Sequence, residues 1–481
     1  MATAGRQGRE NDGRTGEGYV ARSAAGIRQA IAHARGPRSR TVRAAHHIHM
    51  AVPWHNVLDD GEILAVDASV ADKSSIICRA GLLMLAGGTG SWRVRDTMNR
   101  IARVLHVTCS ADVSLTTIEC TCYDEEGDSF SEVVSLPSAG VNTERIWYME
   151  NFLREVTTLG REFTVREFHD LLDAVERKRG NYAPWQVGLA SAAACGAFVF
   201  LLGGGPVEMS CAFAGAGIGN WVKRRMLDRR ITLFAAIAVS VAAACLTYLG
   251  CLGALSLAIP GAMSHEAGYI GAMLFVIPGF PLITSGLDIA KLDMRSGIER
   301  LTHAVSIIVV ATLVGWLVAS VVRLAPDDFQ PLGLSPAVLT LLRAAMSFVG
   351  VFGFSMMFNS PKRMCAVAGC VGLVANTLRL SLVDFAGMPP EAAAFCGALT
   401  AGLLASAAGL HFGFPRISIT VPSIVIMVPG LYMYRAVYYM GNFQTVDAMA
   451  WIMRAAMIVL FLPMGLGVAR VLTDTEWRHT S

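Results

Sequence analysis

From Tyr182 onward the chain is a succession of apolar stretches separated by short polar clusters. The stretches fall near 183–203, 207–226, 231–258, 265–290, 302–324, 335–358, 362–385, 389–412, 417–440 and 445–472. About 20 apolar residues in a helix cross the hydrocarbon of a bilayer, and tilt accommodates the longer ones. The pattern therefore predicts ten spans, of which the second is the most diluted by Glu208, Asn220 and glycines. Upstream the periodicity changes. Residues 74–105 place Ile77, Ala80, Gly81, Met84, Leu85, Val94, Met98, Ile101 and Leu105 at helical spacing around GGTGS (87–91), which predicts two helices joined by a glycine turn. VTCSADVSLTTIECTCY (107–123) alternates like one strand, DEEGD (124–128) reads as a turn and SFSEVVSL (129–136) as the returning strand. Segments 142–160 and 163–179 read as two polar-faced helices. The expected organisation is a basic arm and linker (1–73), an α+β domain (74–180), a first membrane half (181–325) and a second half with a short tail (326–481).

Composition agrees with the membrane assignment: 53% of residues are hydrophobic, 16% are charged and the mean hydropathy is +0.48. A net charge of +3 gives no argument for nucleic acid, but the placement of that charge is informative. Arg177–Arg179, Lys223–Arg225, Lys291, Arg295, Arg300, Lys362, Arg363, Arg416 and Arg470 recur on alternate loops, while the opposite loops hold little beyond Arg323 and several acids. The positive-inside rule then puts the α+β domain and both termini in the cytoplasm. Residues 1–45 carry nine arginines, no lysine and three acids. They read as a disordered basic arm, an organellar transit peptide being the alternative for that composition. The eleven cysteines lie mostly in apolar segments and read as small buried residues, with neither metal-ligand spacing nor a disulfide framework. No metal or other cofactor is expected.

Two stretches break the apolar pattern in the same way. VIPGFPL (276–282) lies halfway along the fourth stretch and MVPGLYM (427–433) halfway along the ninth. Each is thus the fourth span of a five-span half, and because five is odd the halves would insert in opposite senses, as inverted repeats. Proline removes a backbone donor and wedges the preceding turn, so such breaks belong against protein or water rather than lipid. Paired broken helices at mid-membrane suit a secondary transporter. One proline alone would be read as a kink, and it is the pairing that favours a site. Asn220 and Lys223 in span two match the spacing of Asn376 and Arg379 in span seven, a weaker sign of the same repeat. Pro278, Gly279, Pro429 and Gly430 are therefore candidate substrate-binding positions. Thr284 and Ser285 could hydrogen-bond a small polar solute, and Arg435, six residues past Pro429, could take a carboxylate. Asp288 and Glu208 are candidate proton-exchanging acids, with interfacial or loop roles as the bland alternatives. Enzyme signatures are lacking: GLD (286–288) is not GxGD, GxSxG and HExxH do not occur, and GGTGS has no phosphate-loop lysine.

With LLMLAGGTGSWRVRDTMNRIARVL (82–105), GVNTERIWYMENFLREV (140–156), IPGFPLITSGLDIAKLDMRSGIERL (277–301) and VPSIVIMVPGLYMYRAV (421–437) in view, the chain resembles the bacterial threonine/serine exporter family from about residue 75 to 472. The resemblance implies a proton-driven exporter of L-threonine and L-serine in a bacterial inner membrane, with amino acids, protons and the bilayer as partners. It marks Pro278, Gly279, Pro281, Asp288, Asp293, Gly297, Arg300, Pro422, Pro429 and Gly430, and adds Asp293 to the proton-coupling candidates. Where the family commonly has Gly-Asp, this chain has Leu292-Asp293, which puts the local turn in question. Relatives with split halves are linked to dicarboxylates such as succinate, which is the alternative substrate class. A membrane sensor or scaffold is the reading from another class, although ten spans exceed what an anchor needs. Homo-oligomerisation is left open.

Overall fold

The computed structural model describes residues 52–478, so the expected basic arm at 1–45 lies outside the described residues. The chain divides into two compact units. The first comprises the described residues up to Gly87, Arg93–Ala139 and Arg145–Arg179; the second comprises Gly88–Trp92, Gly140–Glu144 and everything from Gly180.

The first unit holds helices α1 (Val70–Ala86), most of α2 (Ser91–Val104) and of α3 (Thr143–Leu159), and α4 (Val165–Glu176). Its antiparallel sheet has the order β1 (Thr108–Val113), β2 (Thr117–Tyr123), β3 (Ser129–Ser135). The alternating run 107–123 is therefore a hairpin rather than one strand. Its turn has no glycine or proline to announce it. Ser114 closes it instead, with its N–H donating to the Thr117 carbonyl (2.8 Å) and its Oγ accepting from the Thr117 N–H (3.0 Å). Ile76, Ile77, Met84, Met98, Ile101, Ile118 and Phe168 are fully buried as its core. The packed unit also begins earlier than the expected linker boundary. Trp54 is buried and stacks on His169 (centroids 6.1 Å apart), and the Ala65 N–H donates to the Phe163 carbonyl (2.9 Å).

His169 sits in a polar knot with Ser75 Oγ (3.1 Å), Arg79 Nη1 (3.2 Å) and Asp173, which pairs with Arg79. Burial, reinforced by the Arg79 charge, pushes its imidazole down to about 3. A histidine held neutral binds fewer protons folded than unfolded. Its contribution is thus complete above the ordinary value near 6.5 and is lost as pH falls from there toward about 3. His169→Gln should flatten the acid-side loss of domain stability by an amount on the order of a few kcal/mol, read as the urea midpoint by pulse proteolysis at pH 4.5 and 7.5. An unchanged pH slope would remove His169 as the cause.

The second unit is helical: α5 (Pro184–Leu201), α6 (Pro206–Asp228), α7 (Leu233–Ser256), α8 (Tyr269–Met273), α9 (Gly279–Ala290), α10 (Met294–Val322), α11 (Pro336–Met357), α12 (Lys362–Ala386), α13 (Pro390–Phe412), α14 (Arg416–Val425), α15 (Gly430–Gly441) and α16 (Thr445–Thr473). Among the described residues seven helices are long and apolar enough to cross a membrane. The count rises to nine when Ala262–Val276 with α9 (bent 58°) and α14 with α15 (bent 47°) are each taken as one broken span. The one remaining expected span, the second, corresponds to α6, 23 residues long but not among those apolar enough; it carries Glu208, Lys223, Arg224 and Arg225. The chain is a polytopic membrane protein.

Candidate transport site

Both breaks have one local structure. Pro278 takes φ −82°, ψ 63° and Pro429 φ −81°, ψ 53°. In each case the following glycine N–H reaches back across the proline, Gly279 to the Ile277 carbonyl (2.9 Å) and Gly430 to the Val428 carbonyl (2.8 Å). These are inverse γ-turns centred on proline, whose ring fixes φ near that value. Each is followed by a 12-residue helix, a left-handed residue (Leu292 at φ 63°, Phe443 at φ 59°) and a 29-residue helix.

Leu292 occupies the slot where the resemblance expects glycine, and the turn survives the substitution. The Asp293 N–H donates to the Asp288 carbonyl and that of Leu292 to the Ile289 carbonyl (both 2.9 Å), a Schellman ending. The side chain costs about 1 kcal/mol of left-handed strain.

The breaks also meet. A methyl on Gly279 would lie 3.1 Å from Val425 Cγ1 and 3.3 Å from Val428 Cγ2; one on Gly430 would lie 2.7 Å from Leu274 Cδ2 and 3.6 Å from Ile277 Cγ1. The contact is reciprocal, because 425 and 428 stand to Pro429 as 274 and 277 stand to Pro278. Glycine suits both positions because apolar side chains of the opposite break pack directly against each α-carbon, leaving little or no room for a methyl.

Beside the second break lies a cavity of about 60 Å³, lined by Phe198, Asn376, Arg379, Met427, Pro429 and Gly430 among others. It has room for a few waters. Asn376 donates to Ser347 Oγ (2.8 Å) and accepts from Arg379 Nη1 (3.3 Å). Arg379 Nε is buried with no hydrogen-bond partner among the described residues, and no carboxylate there pairs with this guanidinium. In the sequence Asn376 stands out only as a spacing match, and Arg379 also as one of four arginines inside spans, with Arg343, Arg435 and Arg454, that snorkelling explains only near span ends. The signal that could have promoted them was a buried-length span carrying an arginine with no acid one turn away.

A second polar cluster gathers at the far end of α9. Asp288 is fully buried. It accepts from the Ser91 N–H (3.0 Å) and Ser296 Oγ (3.2 Å) and pairs with Arg300 Nε at 3.3 Å. Asp293 accepts from Ser91 Oγ (2.9 Å). Gly90 is part of the same fit, since a methyl there would lie 2.5 Å from Asp288 Oδ1. The GGTGS turn thus joins two helices as expected and also presents the first residue of α2 to a carboxylate, where the free N–H groups favour negative charge.

The remaining candidates lie elsewhere. Thr284 donates to the Phe280 carbonyl (3.1 Å) and Ser285 to the Leu282 carbonyl (2.8 Å), so both hydroxyls back-bond within α9. Arg435 is held by the Pro326 carbonyl (3.2 Å), the Asp327 carbonyl (3.1 Å) and Asp328 Oδ1 (2.7 Å). Glu208 is buried at the start of α6, where it accepts from the Gly205 N–H (2.9 Å) and faces His265 Nδ1 (2.6 Å); it is not a wet loop residue and shares no partner with Asp288.

Among curated proteins and among solved structures nothing matches the chain. Family models do match: threonine/serine exporter over residues 75–322, and Threonine/Serine exporter, ThrE, over residues 343–472. Together they cover most of the chain, including every residue of the two polar clusters, and on that coverage the chain belongs to the threonine/serine exporter family.

Proposed function

We propose that this chain exports L-threonine and L-serine from the cytoplasm in exchange for protons, using two inverted five-helix halves that rock about the crossing of the Pro-Gly breaks. The observation that carries this reading is the reciprocal packing of the two breaks beside a small, mostly apolar cavity that Asn376 and Arg379 also line. A contact in which each element meets the other's equivalent residues is what a two-fold relation between the halves produces, and broken helices at such an axis are where secondary transporters bind solute.

Arg379 takes the substrate carboxylate, helped by the N-terminal end of α15 at Gly430. Arg435 is not given that role because Asp328 and two carbonyls already hold it. The carbonyls of Ile426 and Met427, which accept no backbone hydrogen bond among the described residues, suit the substrate ammonium. At about 60 Å³ the cavity admits an amino acid only when the helices part, as an alternating carrier requires.

Asp288 exchanges the proton. It stands nine residues from Gly279 on α9, about 14 Å along the helix, so a change at the carboxylate is transmitted by a rigid rod to the crossing. Protonation would cancel its pairing with Arg300 and weaken its hold on Ser91. The test is uptake of labelled threonine, serine and succinate into inverted vesicles with and without an acidic lumen. Threonine and serine uptake driven by the pH gradient is expected. Uptake of succinate alone would move the substrate class, and no uptake under any gradient would point to the sensor or scaffold.

A further inference from the structure

Three thiols converge inside the first unit. Cys109 of β1 and Cys120 and Cys122 of β2 face the same side of the sheet, with Cys109 directly opposite Cys122 in the register. Their sulfurs lie within 4.8 Å of one another, Cys109 to Cys120 at 3.5 Å and Cys120 to Cys122 at 3.7 Å. Cys78 is buried on α1, which packs over this sheet, but falls outside this group of three. Glu132 of β3, held by Ser74 Oγ (2.6 Å), borders the group.

We infer that Cys109, Cys120 and Cys122 form a three-thiol binding site for a thiophilic divalent cation, zinc being the natural probe, with the fourth coordination position left to water. A tetrahedral zinc with bonds of about 2.3 Å to sulfur holds its ligands about 3.8 Å apart, close to the spacing already present. Thiols must lose their protons to bind the cation, so filling the site releases protons and affinity should fall as pH falls. Cys109 is only partly buried, which leaves a way in. A bound cation would tie β1 to β2 in addition to their ladder.

The full-length chain, purified in detergent under reducing conditions, should retain about one zinc per molecule and show a thiolate-to-cobalt charge-transfer band when titrated with Co²⁺. Cys120→Ser and Cys122→Ser should bind at least about tenfold more weakly, whereas Cys370→Ser, exposed on α12, should bind as the parent does. Because the first two substitutions could unfold the domain, alkylation of the parent protein is the second readout. Zinc should protect Cys109, Cys120 and Cys122 from maleimide, and a chelator should restore labelling. Equal labelling with zinc and with chelator, no charge-transfer band, or a stable Cys109–Cys122 disulfide that excludes metal would each overturn the site.

Discussion

Asp288→Asn is expected to reduce gradient-driven threonine efflux about 100-fold per inserted molecule while leaving threonine–threonine exchange measurable. The asparagine keeps the shape that meets Ser91 and Ser296 but cannot take up and release a proton. It also strips Arg300 of its carboxylate. An unpaired buried guanidinium costs about 3–5 kcal/mol, so the amount of inserted protein should fall as well. Pairing the change with Arg300→Gln removes that charge and should recover insertion without recovering coupled efflux. Gly90→Ala tests the same cluster from the other side: its methyl must push the Asp288 carboxylate away from the Ser91 N–H, and a smaller loss in the same direction is expected. Labelled efflux normalised to membrane-inserted protein decides the matter. Unchanged gradient-driven efflux in the double variant would exclude Asp288 from coupling.

The second large effect is expected at Arg379. Replacing it by glutamine removes a charge-assisted hydrogen bond to the substrate carboxylate, worth about 1.5–3 kcal/mol, and should raise the KM for threonine about 10- to 100-fold. Lysine should restore only part of this, because a point charge lacks the planar fork that matches a carboxylate. Arg435→Gln provides the contrast. Its partners are Pro326, Asp327 and Asp328, and Asp328 is 91% exposed, so its loss should loosen the segment between the halves with little change in KM. Counterflow measured across threonine concentrations separates these outcomes; a KM unmoved by Arg379→Gln would return carboxylate recognition to Arg435 or to the helix ends.

Much of the architecture was legible because burial in lipid and the periods of secondary structure are written directly into residue order. The apolar lengths located the membrane helices to within a few residues, except that α10 begins at Met294, eight residues before the expected span, and the two Pro-Gly pairs marked the bends, since proline constrains φ and deletes a donor wherever it stands. The hairpin at Ser114 was missed because its turn is closed by a serine side chain, a device that carries no compositional signal. Leu292 concealed a left-handed turn for the opposite reason: tertiary constraint imposed a conformation that the residue itself disfavours.

The sequence by itself determined a polytopic membrane protein with an α+β domain ahead of it, two matched helix breaks, and Asp288 and Asp293 as acids close to one of them. Only the tertiary structure decided which polar groups share a site. It set Ser91, nearly two hundred residues upstream, on Asp288; it gave Arg435 to Asp328 while leaving Arg379 Nε without a partner among the described residues; and it folded cysteines from two strands onto one another. The physical reason is that charge pairing and ligation act over a few ångströms of space, and the chain separations that bring such groups together are fixed by packing rather than by any period along the sequence.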